Sequence, residues 1–194
     1  YFSYNLFRFK LENNKKAILK SLEKTNILHN SFIDWLDDCI CFTASSVVSL
    51  KCFLLERLNK KLTNIEGIEL LSSLTKQIIY LESISYAFYG LNIDDILVIN
   101  KNKYIIVSSR HLLPIECNNI IFYSPLNMEC FSSPEIIKLK NLPSKVNKKS
   151  SYYSLGVLVV YCLLNENLLV DNEIKNDKEL ELLLEPIYDT NIYW

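Results

Sequence analysis

From Ile65 to Tyr86 apolar residues recur at steps of three and four, placing Leu71, Leu74, Ile78 and Leu81 on one side of a predicted helix that must bury that side. Asn14 to Lys24 repeats the pattern on a smaller scale, with Ala17, Ile18 and Leu22 set among lysines, and Asn26 is expected to end it. Tyr1 to Lys10 alternates instead, Phe7 and Phe9 against Arg8 and Lys10, as a half-exposed strand does. Val47 to Leu55 is β-branched and apolar and predicts a buried strand ending at Glu56. Ile96 to Ile99 and Tyr104 to Val107 flank the polar turn 100–103 and predict a hairpin. An irregular stretch carrying Pro114, Pro125 and Pro134 follows, then a polar loop from Lys145 to Ser151. Tyr152 to Leu164 is apolar nearly all round, which predicts a helix buried on every side.

The 194 residues are 49% hydrophobic and 22% charged, enough for one globular unit with a substantial core. Lys+Arg 21 against Asp+Glu 22 gives a net charge of -1, so a general nucleic-acid or anionic-membrane binder is not expected. Cys39, Cys41, Cys52, Cys117, Cys130 and Cys162 follow no metal-type spacing, and His29 and His111 stand in no ligand motif. Most of the thiols are expected to be small buried hydrophobes in a reducing, cytoplasmic setting, with no metal. The longest apolar run, Leu155 to Leu164, is far short of the roughly 18 residues a membrane span needs, so no transmembrane segment is expected. The first residue is Tyr1 rather than Met and no signal peptide opens the chain, so a fragment of a longer product is expected.

Several stretches stand in the order of a known pattern. Phe88 to Leu97 follows the long helix as the kinase catalytic loop H-R-D-L-x-x-x-N-I-L does, with Leu91, Ile96 and Leu97 keeping its apolar frame. Ser133-Pro134-Glu135 resembles the small-Pro-Glu segment that closes an activation loop, and Ser151-Tyr152-Tyr153-Ser154-Leu155-Gly156 resembles the D-x-W-S-x-G start of the central kinase helix. Leu19 to Leu28 is similar to the L-x-x-L-x-H-P-N-I-V link of the small lobe. Together these stretches cover roughly Leu19 to Leu164 and resemble the eukaryotic protein kinase superfamily. The resemblance implies an α+β fold with residues 1–58 as the remnant of a small lobe. Residues 59–194 would then be a large lobe whose last helices are incomplete.

The same alignment implies lost chemistry. Gly90 stands where the catalytic Asp accepts the substrate proton, and it has no side chain to do so. The D-F-G positions fall near Ser109-Arg110-His111, which puts a neutral Ser where a metal ligand is expected and a cation beside it. Asp95 occupies the metal-binding Asn position and could, with Asp94, attract a cation, although a solvated acidic turn is the plainer expectation. Lys15 stands where the small-lobe helix should supply a Glu for the nucleotide-binding Lys. The chain has three Gly and no G-x-G-x-x-G loop, so ATP and other nucleotide cofactors are not expected. Ser151 replaces the Asp that starts the central helix and is expected to cap it. Glu135 would pair with an Arg near the end of a full kinase domain, but no Arg follows Leu164.

Three further clusters have plain expectations: Asp34, Asp37 and Asp38 as a solvated turn, Lys145, Lys148 and Lys149 as an exposed loop, and Tyr152, Tyr153 and Tyr161 as core or partly buried. Cys39 and Cys41 should share one face of a strand. The sequence therefore points to a pseudokinase: a scaffold or regulatory domain that binds other proteins and transfers no phosphate. Catalytically silent kinase-like domains that precede helical repeats in membrane-traffic adaptors are a narrower form of the same reading. An atypical kinase or nucleotide-binding domain using Asp94, Asp95 or a displaced Lys, and an unrelated α+β structural subunit of a complex, are the alternatives.

Overall fold

The computed structural model describes residues 5–10, 16–28, 30–126, 129–165, 169–170 and 173–174. It is a mixed α+β chain of small antiparallel sheets and five helices among the described residues. Strand β1 (Asn5–Lys10) is followed by helix α1 (Lys16–Thr25), whose Ala17, Ile18 and Leu22 are buried as their spacing predicts. Asn26 leaves the helix with a left-handed φ of 50°, which ends it. Strands β2 (Phe32–Asp34) and β3 (Cys39–Ala44) complete a sheet in the order β1-β3-β2. Phe7 stacks on Phe42 on its inner side, while Arg8 crosses the outer side to Asp34 and Asp37. The acidic turn is solvated only in part: Asp37 is exposed, Asp34 and Asp38 are partly buried, Arg8 pairs with Asp34 and Asp37, and Asp38 Oδ1 is buried with no hydrogen-bond partner among the described residues.

Val47 to Leu55 is not one strand. It divides into β4 (Val47–Ser49) and helix α2 (Leu50–Leu55), because the Ser49 hydroxyl accepts the Cys52 N–H at 3.1 Å and starts a helix. Helix α3 (Asn64–Ser83) opens on a capping box in which the Thr63 side chain takes the Glu66 N–H and Glu66 reaches back to Thr63. It buries Leu70, Leu74, Ile78 and Leu81, and packs on α1, on strand β5 (Tyr86–Phe88), and on the hairpin of β6 (Ile96–Ile99) and β7 (Lys103–Ile106). One buried amide ties these layers together. Gln77 Nε2 donates to Ser21 Oγ (2.9 Å) and to the Ile106 carbonyl (2.8 Å), and its Oε1 accepts the Ile106 N–H (2.9 Å). All of its pairing capacity on that side is met inside the core.

The stretch expected to be irregular holds a second hairpin, β8 (Leu112–Glu116) and β9 (Asn119–Phe122). It forms a sheet in the order β10-β9-β8-β5 with β10 (Ser144–Asn147), so the predicted loop from Lys145 to Ser151 is in fact a strand and the start of a helix. Val146 is the reason: it is buried with Ile120 and Phe122 in a second, smaller core. Between them lies the short helix α4 (Pro134–Ile137). Helix α5 (Ser150–Leu164) packs on α3, with Leu155, Leu158, Val159 and Cys162 in the main core. It is not buried all round, since Tyr153 is 40% exposed and Gly156 faces open space. Tyr152 and Tyr161 are partly buried. Short strands β11 (Leu169–Val170) and β12 (Glu173–Ile174) pair with each other. No described helix is long and apolar enough to cross a membrane.

Of the six thiols, Cys39, Cys41 and Cys162 are buried, Cys130 is partly buried, and Cys52 and Cys117 are exposed. The expectation of mostly buried cysteines therefore holds for half of them. Cys52 stands on the outer face of α2, and Cys117 in the β8–β9 turn, where their short side chains have nothing to pack against.

Candidate functional site

Where the chain leaves β5, backbone pairing fixes it on both sides of Gly90. The Tyr89 N–H donates to the His111 carbonyl (2.9 Å), and Leu91 and Phe131 exchange two hydrogen bonds of 3.0 and 2.8 Å. Gly90 lies between these two clamps. A Cβ built on it would stand 2.6 Å from Ser132 Oγ, closer still to Cys130 Sγ, and 3.1 Å from Cys130 Cβ. Cys130 and Ser132 are themselves joined, Sγ to Oγ, at 3.2 Å. The space in front of residue 90 is thus filled by two side chains from the segment that precedes α4. The sequence reading missed both residues, since only the Leu91–Phe131 bridge, a pairing 40 residues apart, brings them here.

Next in the chain, Asn92 accepts the Asp94 N–H with its side-chain oxygen (2.9 Å) and starts a 3-10 turn, Ile93–Asp95, that leads into β6. This turn sends its two acids in opposite directions. Asp94 points outward to Lys51 (3.2 Å). Asp95 turns inward, is only 6% exposed, and so is not the solvated acid expected. Its carboxylate accepts from Arg110 (2.9 Å) and lies 3.4 Å from His111 Nδ1. A buried carboxylate with two cationic partners is balanced locally, which is why it tolerates burial.

His111 is 3% exposed and stands edge-on to Tyr89, with ring centroids 5.2 Å apart. Burial works to lower its pKa, but hydrogen bonds to Asp95 and Cys130 outweigh this and push it up to about 9. The imidazolium form is thereby favoured beside the Asp95 carboxylate. Around it Phe88, Gly90, Leu91, Ile96 and Ile106 close the space to less than a water molecule needs. The arrangement can hold two loops together. It offers neither a free carboxylate nor an open volume for a reacting group.

The structure thus brings Gly90, Asp95, Arg110 and His111 to one place. Ser109 sits just outside, its carbonyl accepting the Leu112 N–H (3.0 Å), and it is Ser108 that lines the centre. Lys15 lies outside the described residues, as does His29. Ser133 precedes α4 and is buried without a partner for its hydroxyl among the described residues, Pro134 opens the helix, and Glu135 is exposed and forms no ion pair among the described residues. Ser151 does not cap α5. It lies in the first turn, and its hydroxyl donates to the Lys148 carbonyl (2.7 Å), while the Asn147 side chain receives the Lys149 N–H (3.0 Å). Lys145 and Lys149 are exposed as expected, whereas Lys148 is partly buried and approaches Glu82 (3.8 Å). No group of three or more His, Cys, Asp and Glu side chains converges in a metal-ligating arrangement among the described residues. No known family model matches the chain, and no curated protein matches it.

Proposed function

We propose that this chain is a divergent, catalytically silent member of the protein kinase-like superfamily, acting as a scaffold or regulatory domain that binds other proteins in the cytoplasm. The observation that carries the reading is Gly90: at the position assigned to the catalytic base there is no side chain, and Cys130 and Ser132 occupy the space one would need. The order of elements supports the kinase-like part of the proposal. A helix (α1), a small sheet, a long helix (α3), the β6–β7 hairpin, the α4 segment and a largely buried helix (α5) follow one another as in a kinase from its small-lobe helix to its central large-lobe helix.

The remaining machinery is altered in the same direction. Asp95, at the metal-binding Asn position, is engaged by Arg110 and His111, and Asp94 by Lys51, so neither acid favours an atypical kinase. Loss of a defined chemistry leaves binding as the function such a fold can still perform. The test is a pair of measurements on the purified chain. Mg-ATP at millimolar concentration should leave the melting temperature unchanged, and labelled ATP should transfer no phosphate to the chain or to acceptor proteins. A rise in melting temperature that saturates with Mg-ATP would refute the nucleotide-free form, and phosphotransfer lost in Asp95→Ala would refute the pseudokinase reading altogether.

A further inference from the structure

Between the stretch that follows β9 and the chain running from α4 towards β10 lies a hollow of about 270 Å³, which shares no lining residue with the Gly90 cluster. It is smaller than most small-molecule sites, and its size suits one or two apolar side chains of a peptide. Its walls can be reached from solvent: Leu142 is 41% exposed, Pro125 is exposed, and Leu126, Ile137 and Leu139 are half-buried. Leu126 and Leu139 are backed by the smaller core, so the hollow belongs to the folded structure. The charge around it is mainly positive. Lys140 lines it, Lys138 stands on the other side of Leu139 in the chain, and Lys145 follows Leu142 by three residues. All three lysines are exposed, and none makes an ion pair among the described residues. No Asp or Glu stands between Ile136 and Asn165, and Asn127 and Met128, which follow Leu126 outside the described residues, are uncharged. Glu135, at the far end of the short α4, is the nearest acid in sequence. A membrane takes up apolar groups that project from a protein, whereas a concave apolar surface takes a side chain projecting from a partner. Unpaired lysines beside it select carboxylates.

We propose that this hollow docks a partner protein through an acidic segment with a leucine-like anchor, which enters beside Leu126, Leu139 and Leu142 while the flanking carboxylates face Lys138, Lys140 and Lys145. The inference rests on the protein-binding role proposed above and names the chemistry of the partner. The probe is a fluorescein-labelled peptide, EDELLDEE, titrated with the purified chain and followed by fluorescence polarisation. EDESSDEE, which lacks the apolar anchor, and QNQLLNQQ, which lacks the charge, are the controls. EDELLDEE should bind with a dissociation constant on the order of 100 μM or tighter, and each control about tenfold more weakly. Lys140→Glu should weaken EDELLDEE about tenfold, and raising the salt to about 0.5 M should do much the same. Leu142→Glu, at an exposed position on the rim, should weaken it by about as much. Cooperative melts of both variants establish that they are folded. Equal binding of the three peptides, EDELLDEE binding that survives both variants unchanged, or no binding up to about 1 mM overturns the proposal. Co-sedimentation with phosphatidylserine vesicles that is lost in Lys140→Glu, without peptide binding, also overturns it and assigns the surface to a membrane. Each of these failures concerns this site alone, since the Mg-ATP measurements decide the reading of Gly90.

Discussion

Replacing Gly90 by Ala adds one methyl group at the most informative position in the chain. The backbone cannot retreat from it without breaking the Tyr89–His111 bond on one side or the Leu91–Phe131 pair on the other. The new Cβ meets Ser132 Oγ at 2.6 Å and Cys130 Sγ nearer than that, so two side chains must move. Ser132 is fully buried and Cys130 is partly buried and bonded to it, so the Ser132 hydroxyl has no solvent to turn into and moving Cys130 disturbs their contact. Overpacking of this kind costs about 1–3 kcal/mol. Urea unfolding followed by far-UV circular dichroism reads it as a lower midpoint at constant slope. Cys130→Ala removes the closest atom, so Gly90→Ala with Cys130→Ala should recover part of the loss, with a coupling of about 0.5–1.5 kcal/mol in the double-mutant cycle. The cycle is needed because Cys130→Ala also removes a hydrogen bond to His111. A Gly90→Ala cost under about 0.5 kcal/mol with no coupling would mean that the space is open, and the argument that the site is filled would fail.

Three other outcomes test separate parts of the structure. The His111 pKa, raised to about 9 from an unfolded value near 6.5, contributes stability that is fully present below about pH 6.5 and is lost as pH rises through 9. The ceiling is about 3 kcal/mol, so urea midpoints should fall between pH 6.5 and 9.5, and His111→Gln or Asp95→Asn should flatten that slope; an equally steep slope in both variants assigns the effect to other groups. Gly156→Ala should stabilise the chain by about 0.5–1 kcal/mol, since the position is helical and no atom lies within 4 Å of the added Cβ; a lower urea midpoint would place an unseen neighbour there. Under native conditions iodoacetamide followed by peptide mass mapping should modify Cys52 and Cys117 first, while Cys162, whose burial pushes its pKa up to about 12, reacts only on unfolding; early labelling of Cys162 would contradict its place in the core.

Strong periodicity explains what could be read from the sequence. Helices α1 and α3 and the β6–β7 hairpin stand where their spacing puts them, and α5 where its unbroken apolar run puts it. In the hairpin, Asn100 and Lys101 take left-handed φ values of 52° and 65°. The failures have local causes. Val47 to Leu55 is apolar enough for a strand or a helix, and only the Ser49 cap decides the change at Leu50. The β8–β9 hairpin hides behind Pro114 within a strand and behind a turn in which Cys117 and Asn118 are left-handed, at 47° and 65°; a cysteine there is no turn signal. Strand β10 shows one apolar residue, Val146, among lysines and asparagines, too little for a period.

The site divides in the same way. Gly90 and Asp95 could be singled out from their distance to Leu91, Ile96 and Leu97, and Arg110 and His111 as neighbours of an expected metal position. Their contact with Asp95 could not be read, because it depends on how the 107–111 segment folds back over the 3-10 turn. On the proposed reading this contact also accounts for an acid kept in a place without catalysis. In a kinase the metal ions and their ligands draw the catalytic loop and the segment after the hairpin towards each other. Here the Arg110 guanidinium and the His111 imidazolium converge on the same carboxylate and join the same two segments through Asp95. Removing Asp95 would lower the His111 pKa and cut the tie between the two segments, a loss to the fold that needs no catalysis to explain it. An acid at this position is therefore no sign of residual phosphotransfer. On the proposed reading the residue that decides the chemistry is Gly90, beside which Cys130 and Ser132 fill the space.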